Sequence, residues 1–254
     1  ERFGMPVADI ENADAIVIVG SHLRHELPLL HQRLRKAVKK GARVHLVNPV
    51  DFDVAFEVAS KTIVPPSQLA TALGRVDLAG AQRAVVIVGA VAELGTHAAA
   101  IRAAVRGFAS ANNAQVCRIP QGANALGLAQ HGVLPSARDA LGMLADARSA
   151  YILYGIEPGL DFADQAQAFK ALGNAQVVAF SHFACESTRK VADVILPIGA
   201  IPEIEGSLTN VDGFVQHTTA GGKLPGEARA GWRVLRALGA SKLDILWNVG
   251  LPRT

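Results

Sequence analysis

Two apolar runs of nearly the same spelling constrain this chain most. "AIVIVG" spans Ala15–Gly20 and "AVVIVG" spans Ala84–Gly89. Each is a short block of β-branched residues with no polar interruption. A run of this kind suits a strand buried on both faces, the condition found in parallel sheets covered by helices. Helical stretches follow both runs, so the pattern restarts once along the chain. With 254 residues there is room for a sizeable core in one domain or two.

The first restart is a βαβ unit. After Gly20 an apolar stripe of Leu27, Leu30, Leu34 and Val38 recurs at three- and four-residue steps. That period predicts a helix over about 23–40, beginning nearer Glu26 if Pro28 takes the first turn. Gly41 reads as the residue that ends it, and "RVHLVNP" (43–49) as the next strand. Strands joined by such a crossover are parallel. Pro65 and Pro66 precede a short helical stretch over 67–73, and "RVDLAGAQ" (75–82) reads as a connector. A soft domain boundary is therefore expected there, with residues 1–75 as a first α/β lobe and 76–254 as a second.

In the second lobe the expected order is strand 83–90, helix 96–110 and strand 114–120. A loop over 121–135 follows, carrying Gly122, Gly127 and Gly132. Then come a short helix at 137–145, strand 149–155, helix 162–172, strand 175–181, a helical turn near 187–190 and a strand entering "ADVILPIG". A hairpin of 207–210 with 215–219 and a closing helix at 228–238 complete it. The fold class expected is thus α/β, with two nucleotide-binding-like (Rossmann-like) lobes, mostly parallel sheets and helices on both faces.

Composition excludes several functions. Net charge is +3, too weak for a nucleic-acid face. No apolar stretch approaches the roughly 18–20 uninterrupted residues of a membrane span. The two cysteines, Cys117 and Cys185, are too few for an iron–sulfur cluster and suggest no disulfide scaffold. Glu1–Arg2–Phe3 lacks a basic-then-apolar leader, so no signal peptide is visible, and since the first residue is not Met a piece of a longer chain or a processed one is expected.

Several stretches have a chemical and a structural reading. Gly20 and Gly89 each end a strand alone, and Gly95 falls at the wrong spacing for Gly-x-Gly-x-x-Gly, so both read as turn residues and not as a dinucleotide fingerprint. His22 and His25 share a helix face, as zinc ligands do, but no third ligand lies at a familiar spacing. The basic run 33–43 reads as a solvated face, with Lys39 and Lys40 at the negative end of the helix dipole. An acidic neighbouring subunit is the alternative.

Ser181 and His182 are adjacent on a strand end and point apart, which makes a poor dyad. Cys185 has nothing nearby to depress its thiol, and Ser187 or Thr188 reads as a helix cap. Glu203 and Glu205 read equally as an acid–base pair or as acceptors that hold a turn. Asn210, Asp212 and Gly213 suit a tight turn.

Taken together, "VVAFSHFACESTRKV" followed by "ADVILPIGAIPEIEGSLTNVDGFVQ" resembles the molybdopterin oxidoreductase family. Within it, the resemblance is nearest to the branch formed by the large iron–sulfur subunits of bacterial NADH:quinone oxidoreductase, respiratory complex I. "IPQGANALGLAQHGVLP" and "YILYGIEPG" agree in order, and the likeness runs over about 13–239.

The resemblance implies two lobes that, in the molybdenum enzymes, cradle a pterin dinucleotide. It also implies losses here. Ser21–His22 stands where those enzymes tend to carry Asn-Pro. Asn48–Pro49–Val50 stands in place of Asp-Pro-Arg, whose acid meets a guanine. Phe214 stands after Gly213 where an arginine is expected. The implied reading is a domain that keeps the fold without the cofactor, with no catalytic, cofactor-binding or metal-binding residue. Its 2Fe-2S and 4Fe-4S clusters would lie upstream. Its partners would be other peripheral-arm subunits, at the cytoplasmic face of the bacterial inner membrane. Glu205, Gly206 and Asn210 would then only shape a loop inherited from the cofactor side. The alternative is the nucleotide lobe of an active enzyme that binds a molybdopterin guanine dinucleotide.

Overall fold

The structure, a computed structural model, describes residues 3–240. The chain forms two compact units. The first runs to Gly127 and takes back Thr209–Val215; the second comprises Leu128–Leu208 and the chain from Gln216 onward.

The first unit is built on β1 (Ala15–Val19), β2 (Arg43–Asn48), β3 (Ser60–Ile63), β4 (Ala84–Val88) and β5 (Gln115–Arg118). They form one sheet in the order β3-β2-β1-β4-β5, with all four pairings parallel. Every residue of β1 and β4 is buried, as their apolar spelling requires. Alternation along each strand divides them between two cores. Ile16, Ile18, Val85 and Ile87 pack with Leu30, Leu34 and Ala37 of the helix α2 (Pro28–Lys39), which follows the short α1 (Leu23–Glu26). Ala15, Val17, Val86 and Val88 face the other way, onto α3 (Leu69–Leu73) and onto α5 (Ala98–Ala111), which follows the short α4 (Ala90–Glu93). Helices therefore cover both faces, as expected.

Three expectations are corrected in this unit. The helix over 23–40 is two helices, broken at Leu27. That residue sits at φ −142°, ψ 81°, because a residue before proline is driven out of the helical region. The strand β3 lies outside the expected elements: its sequence, "SKTI", alternates half-buried with exposed positions and carries no apolar run. The boundary expected at 75/76 does not separate the sheets. β4 pairs in register with β1, Ala15 opposite Ala84 through Val19 opposite Val88, so the 75–82 connector is a crossover inside one sheet.

The second unit holds a parallel sheet β6-β7-β8, made of Ala150–Tyr154, Gln176–Ser181 and Val194–Pro197. Between these strands run α8 (Gln165–Leu172) and α9 (Glu186–Val191), after α7 (Ala140–Ala145). Leu153, Val177 and Ala179 pack with Leu172 of α8. The helix α6 (Ala125–Gln130) lies within what reads in sequence as a plain loop, and the unit boundary passes through it. A two-stranded hairpin, β9 (Gly206–Thr209) with β10 (Val215–Thr218), forms as expected. The last described helix is α10 (Gly231–Ala240), set slightly later than the expected 228–238.

One buried carboxylate ties the first unit's outer helix to its edge strand. Glu93, on α4 with its side chain 7 % exposed, accepts from Arg118 Nε at 2.7 Å and Nη2 at 2.8 Å, and from Arg102 Nε at 2.7 Å. Burial alone would raise its pKa. The two guanidinium groups outweigh that and hold the carboxyl below the usual glutamate value of 4.5. Because the folded value is lowered, the contribution to stability is present above the unfolded value and is lost as pH falls below it. The Glu93→Gln variant is expected to be less stable at neutral pH by about 2 kcal/mol. That deficit should shrink as pH drops past 4.5 toward the lowered folded value. Urea denaturation of both proteins across that range reads the difference directly.

Candidate functional site

In an open parallel sheet, ligands sit beyond the carboxyl ends of the strands, where the strand order reverses. In the first unit that place lies between β1 and β4. The strand-end residues are Gly20, Ser21 and Asn48 on one side, and Gly89 and Ala90 on the other.

The geometry is close-packed and internally bonded. Gly20 has φ +55°, and a Cβ built on it would lie 2.5 Å from the Ala92 nitrogen. A Cβ on Gly89 would lie 2.3 Å from the Ser21 Cβ. Glycine at these two positions lets the chains leaving neighbouring strands touch. Ser21, 2 % exposed, is fixed by Asn48, also 2 % exposed. The Ser21 N–H donates to Asn48 Oδ1 at 2.8 Å, and Asn48 Nδ2 donates back to the Ser21 carbonyl at 3.2 Å.

Glu26 closes the gap. Its Oε1 accepts from the Ser21 hydroxyl and from the His22 N–H, each at 2.8 Å, and its Oε2 accepts from the Ala90 N–H at 2.7 Å. One carboxylate thus receives donors from the ends of both strands. Sequence reasoning treats Glu26 only as a possible helix start. The available signal is an acid a few residues past a strand-terminal glycine, and it becomes specific only when Ala90, 64 positions away, is brought beside it.

The histidines here stack and do not converge. The His22 ring lies 4.0 Å from that of His25 and 4.3 Å from that of Phe52. Burial holds the His22 imidazole below its usual pKa, and the charge of His25 adds to the effect. Among the described residues no group of three or more His, Cys, Asp or Glu side chains is arranged to hold a metal ion. Beside α4 and the start of α5 lies a cleft of about 590 Å³, lined by Leu94, Thr96, His97 and Ile101 among others. No carboxylate of the described residues lines it.

The remaining candidates separate. Arg33, Lys36 and Lys40 of the basic run gather around Glu11. The Ser181 hydroxyl donates to the Phe183 carbonyl at 2.7 Å, whereas His182 Nδ1 meets the Ile198 carbonyl at 3.3 Å; they form no dyad. Cys185 is the N-cap of α9, so Ser187 and Thr188 lie inside the helix and not at its cap. Their hydroxyls meet the Cys185 sulfur at 3.2 and 3.0 Å and lower its pKa, contrary to the expectation that nothing nearby does so. Cys117 is buried, and burial pushes its thiol up to about 12.

Glu203 accepts from the Ala200 N–H at 2.9 Å and so holds a turn, while Glu205 pairs with Arg233 at 3.0 Å. The two acids therefore serve different partners, and Glu205 holds α10 instead of the loop's own turn. Asn210 does shape that turn: its Oδ1 accepts from Asp212 N–H at 3.1 Å and Phe214 N–H at 2.9 Å, and Gly213 takes φ +87°.

Residues 1–241 match the family described as Molybdopterin oxidoreductase. The chain belongs to the molybdopterin oxidoreductase family. Its relatives within that family include the mitochondrial NADH-ubiquinone oxidoreductase 78 kDa subunit of Candida albicans, 29 % identical over 93 % of this chain and 32 % of that protein. The NADH dehydrogenase [ubiquinone] iron-sulfur protein 1 of Solanum tuberosum is 30 % identical over 97 % of this chain and 32 % of that protein. An NADH-quinone oxidoreductase subunit of Mycobacterium bovis is 27 % identical over 96 % and 35 %. The chain spans about a third of the length of these curated relatives. Among solved structures, acetylene hydratase from Pelobacter acetylenicus shares the fold at a TM-score of 0.68 and 13 % identity, covering 95 % of this chain and 50 % of that one.

Two outcomes follow for this molybdopterin oxidoreductase domain. Asn48→Asp places a carboxylate against the Ser21 carbonyl at a site that is 2 % exposed. It is expected to destabilise the fold by about 1–3 kcal/mol in chemical denaturation. Iodoacetamide at mildly alkaline pH is expected to label Cys185 and spare Cys117 in the folded protein, with both labelled after unfolding, as peptide mass mapping would show.

Proposed function

We propose that this chain is the molybdopterin-oxidoreductase-like part of the large iron–sulfur subunit of an NADH:quinone oxidoreductase, respiratory complex I, and that it serves there as a scaffold without a redox centre of its own. Electrons pass from NADH to quinone through 2Fe-2S and 4Fe-4S clusters held by other parts of such a protein and by its neighbours. This domain packs among the peripheral-arm subunits at the cytoplasmic face of the membrane. Support for the assignment comes from the relatives named above, which match over nearly the whole chain. No helix among the described residues is long and apolar enough to cross a membrane, which agrees with a peripheral place.

The observation that carries the scaffold reading is the state of the donors beyond β1 and β4. A dinucleotide needs free backbone amides and an open approach at that point. Here the amides of Ser21, His22 and Ala90 already bond to Asn48 and Glu26. Gly89 lies against Ser21 with no room for even a methyl group. These residues do not fit a pterin dinucleotide phosphate, and no catalytic step is assigned to the chain.

Metal analysis and pterin fluorescence of the purified full-length protein test the proposal. The expected result is no molybdenum or tungsten above background. One such metal per chain with released pterin would overturn it. Affinity purification of the tagged protein from membranes is expected to bring down iron-containing NADH dehydrogenase activity, and recovery of the protein without that activity would count against the assignment.

A further inference from the structure

We infer that Glu26 is an internal anion: its carboxylate fills the cradle formed by the ends of β1 and β4, and removing it opens that cradle to a small oxyanion, a carboxylate or phosphate. The inference rests on the reading that no dinucleotide occupies this point, but its test does not involve metal or pterin content.

Three observations carry it. The donors number three and come from separate places: the Ser21 hydroxyl, the His22 amide and, across the strand-order reversal, the Ala90 amide. Their lengths of 2.7–2.8 Å are those of well-formed hydrogen bonds, so all three donors converge on one carboxylate. Contacts that do not involve Glu26 also hold the cradle. Asn48 fixes Ser21 through two hydrogen bonds, Gly89 packs against the Ser21 Cβ, and the Ala92 N–H donates to the Gly20 carbonyl at 3.2 Å.

The donors are uncharged. A hydroxyl and two amides recognise an oxyanion by geometry, so a free carboxylate is an adequate substitute for the one tethered on Glu26. The nearby cation does not compete for this place, since Arg24 pairs outward with Asp53 at 2.9 Å. The tether explains specificity. A carboxylate held by its own chain is present at high effective concentration, and a free anion cannot displace it at ordinary concentrations.

Chemical rescue tests the inference. Glu26→Ala is expected to melt below the wild type. Sodium acetate or inorganic phosphate, compared with sodium chloride at equal ionic strength, is expected to raise the variant's Tm by about 2–4 °C more than the wild type's, whose own rise reads the general stabilising effect of these salts. Glu26→Gln keeps the side chain in place but turns one acceptor into a donor facing the Ala90 N–H. It is expected to lose stability and to show no rescue, because the cradle stays filled.

If Glu26→Ala does not fold in chloride, its refolding yield in acetate or phosphate reads the same effect. A variant that responds to neither anion, in Tm or in yield, overturns the inference. So does a wild type that responds as strongly as the variant.

Discussion

The in-register pairing of β1 with β4 is the contact on which the rest of the first unit depends. The residues of Ala15–Val19 and Ala84–Val88 lie side by side and are buried on both faces. Neither strand has a polar side chain to spare, so each must be covered above and below by helices. Carboxylates clasp the pair at both ends. At the amino end, Asp14 accepts from the Gln82 and Arg83 amides at 2.9 and 3.0 Å. Its desolvation is outweighed by those bonds, so its carboxyl lies below the usual aspartate range. At the carboxyl end Glu26 does the equivalent work with Ala90. Acids at these two points satisfy amides that the sheet itself leaves unpaired.

That arrangement explains how a fold of this family keeps its shape at the reversal point with bonds drawn from its own chain. A nucleotide-binding sheet leaves amides facing its ligand, and they need an acceptor. Here Asn48 and Glu26 supply one, and Gly20 and Gly89 allow the neighbouring chains to close over the gap. The result is a stable end to the sheet in a family whose fold is shared with enzymes as distant as 13 % identity.

Much of this is legible from the residues. The Ile and Val runs locate β1 and β4 because full burial leaves little choice of composition. The stripe Leu30–Leu34 locates α2 because those residues face the sheet. The family is legible from the stretch 192–216, whose loop residues are unusual in kind and order. What is not legible depends on pairing at a distance. The polar β3 is a strand because β2 offers it an edge, not because of its own sequence. The connector at 75–82 looks like a linker until β4 is seen beside β1. Glu203 and Glu205 read as a pair by proximity in sequence, yet one reaches back to Ala200 and the other to Arg233. Asn48 reads in sequence as a missing acid, whereas its two bonds to Ser21 require the fold.

The first unit is not continuous in sequence. Thr209–Val215 returns to it, with the Thr209 N–H donating to Asn124 Oδ1 at 2.8 Å and Asp212 Oδ1 accepting from the Val7 N–H at 2.9 Å. The second bond joins positions 205 apart. A chain made from its amino end at about 5–20 residues per second reaches Asp212 only after the whole insert between Gly127 and Thr209 has been synthesised. The first unit therefore lacks its last segment until most of the second has been made. Its final latch closes on a segment made only after that insert.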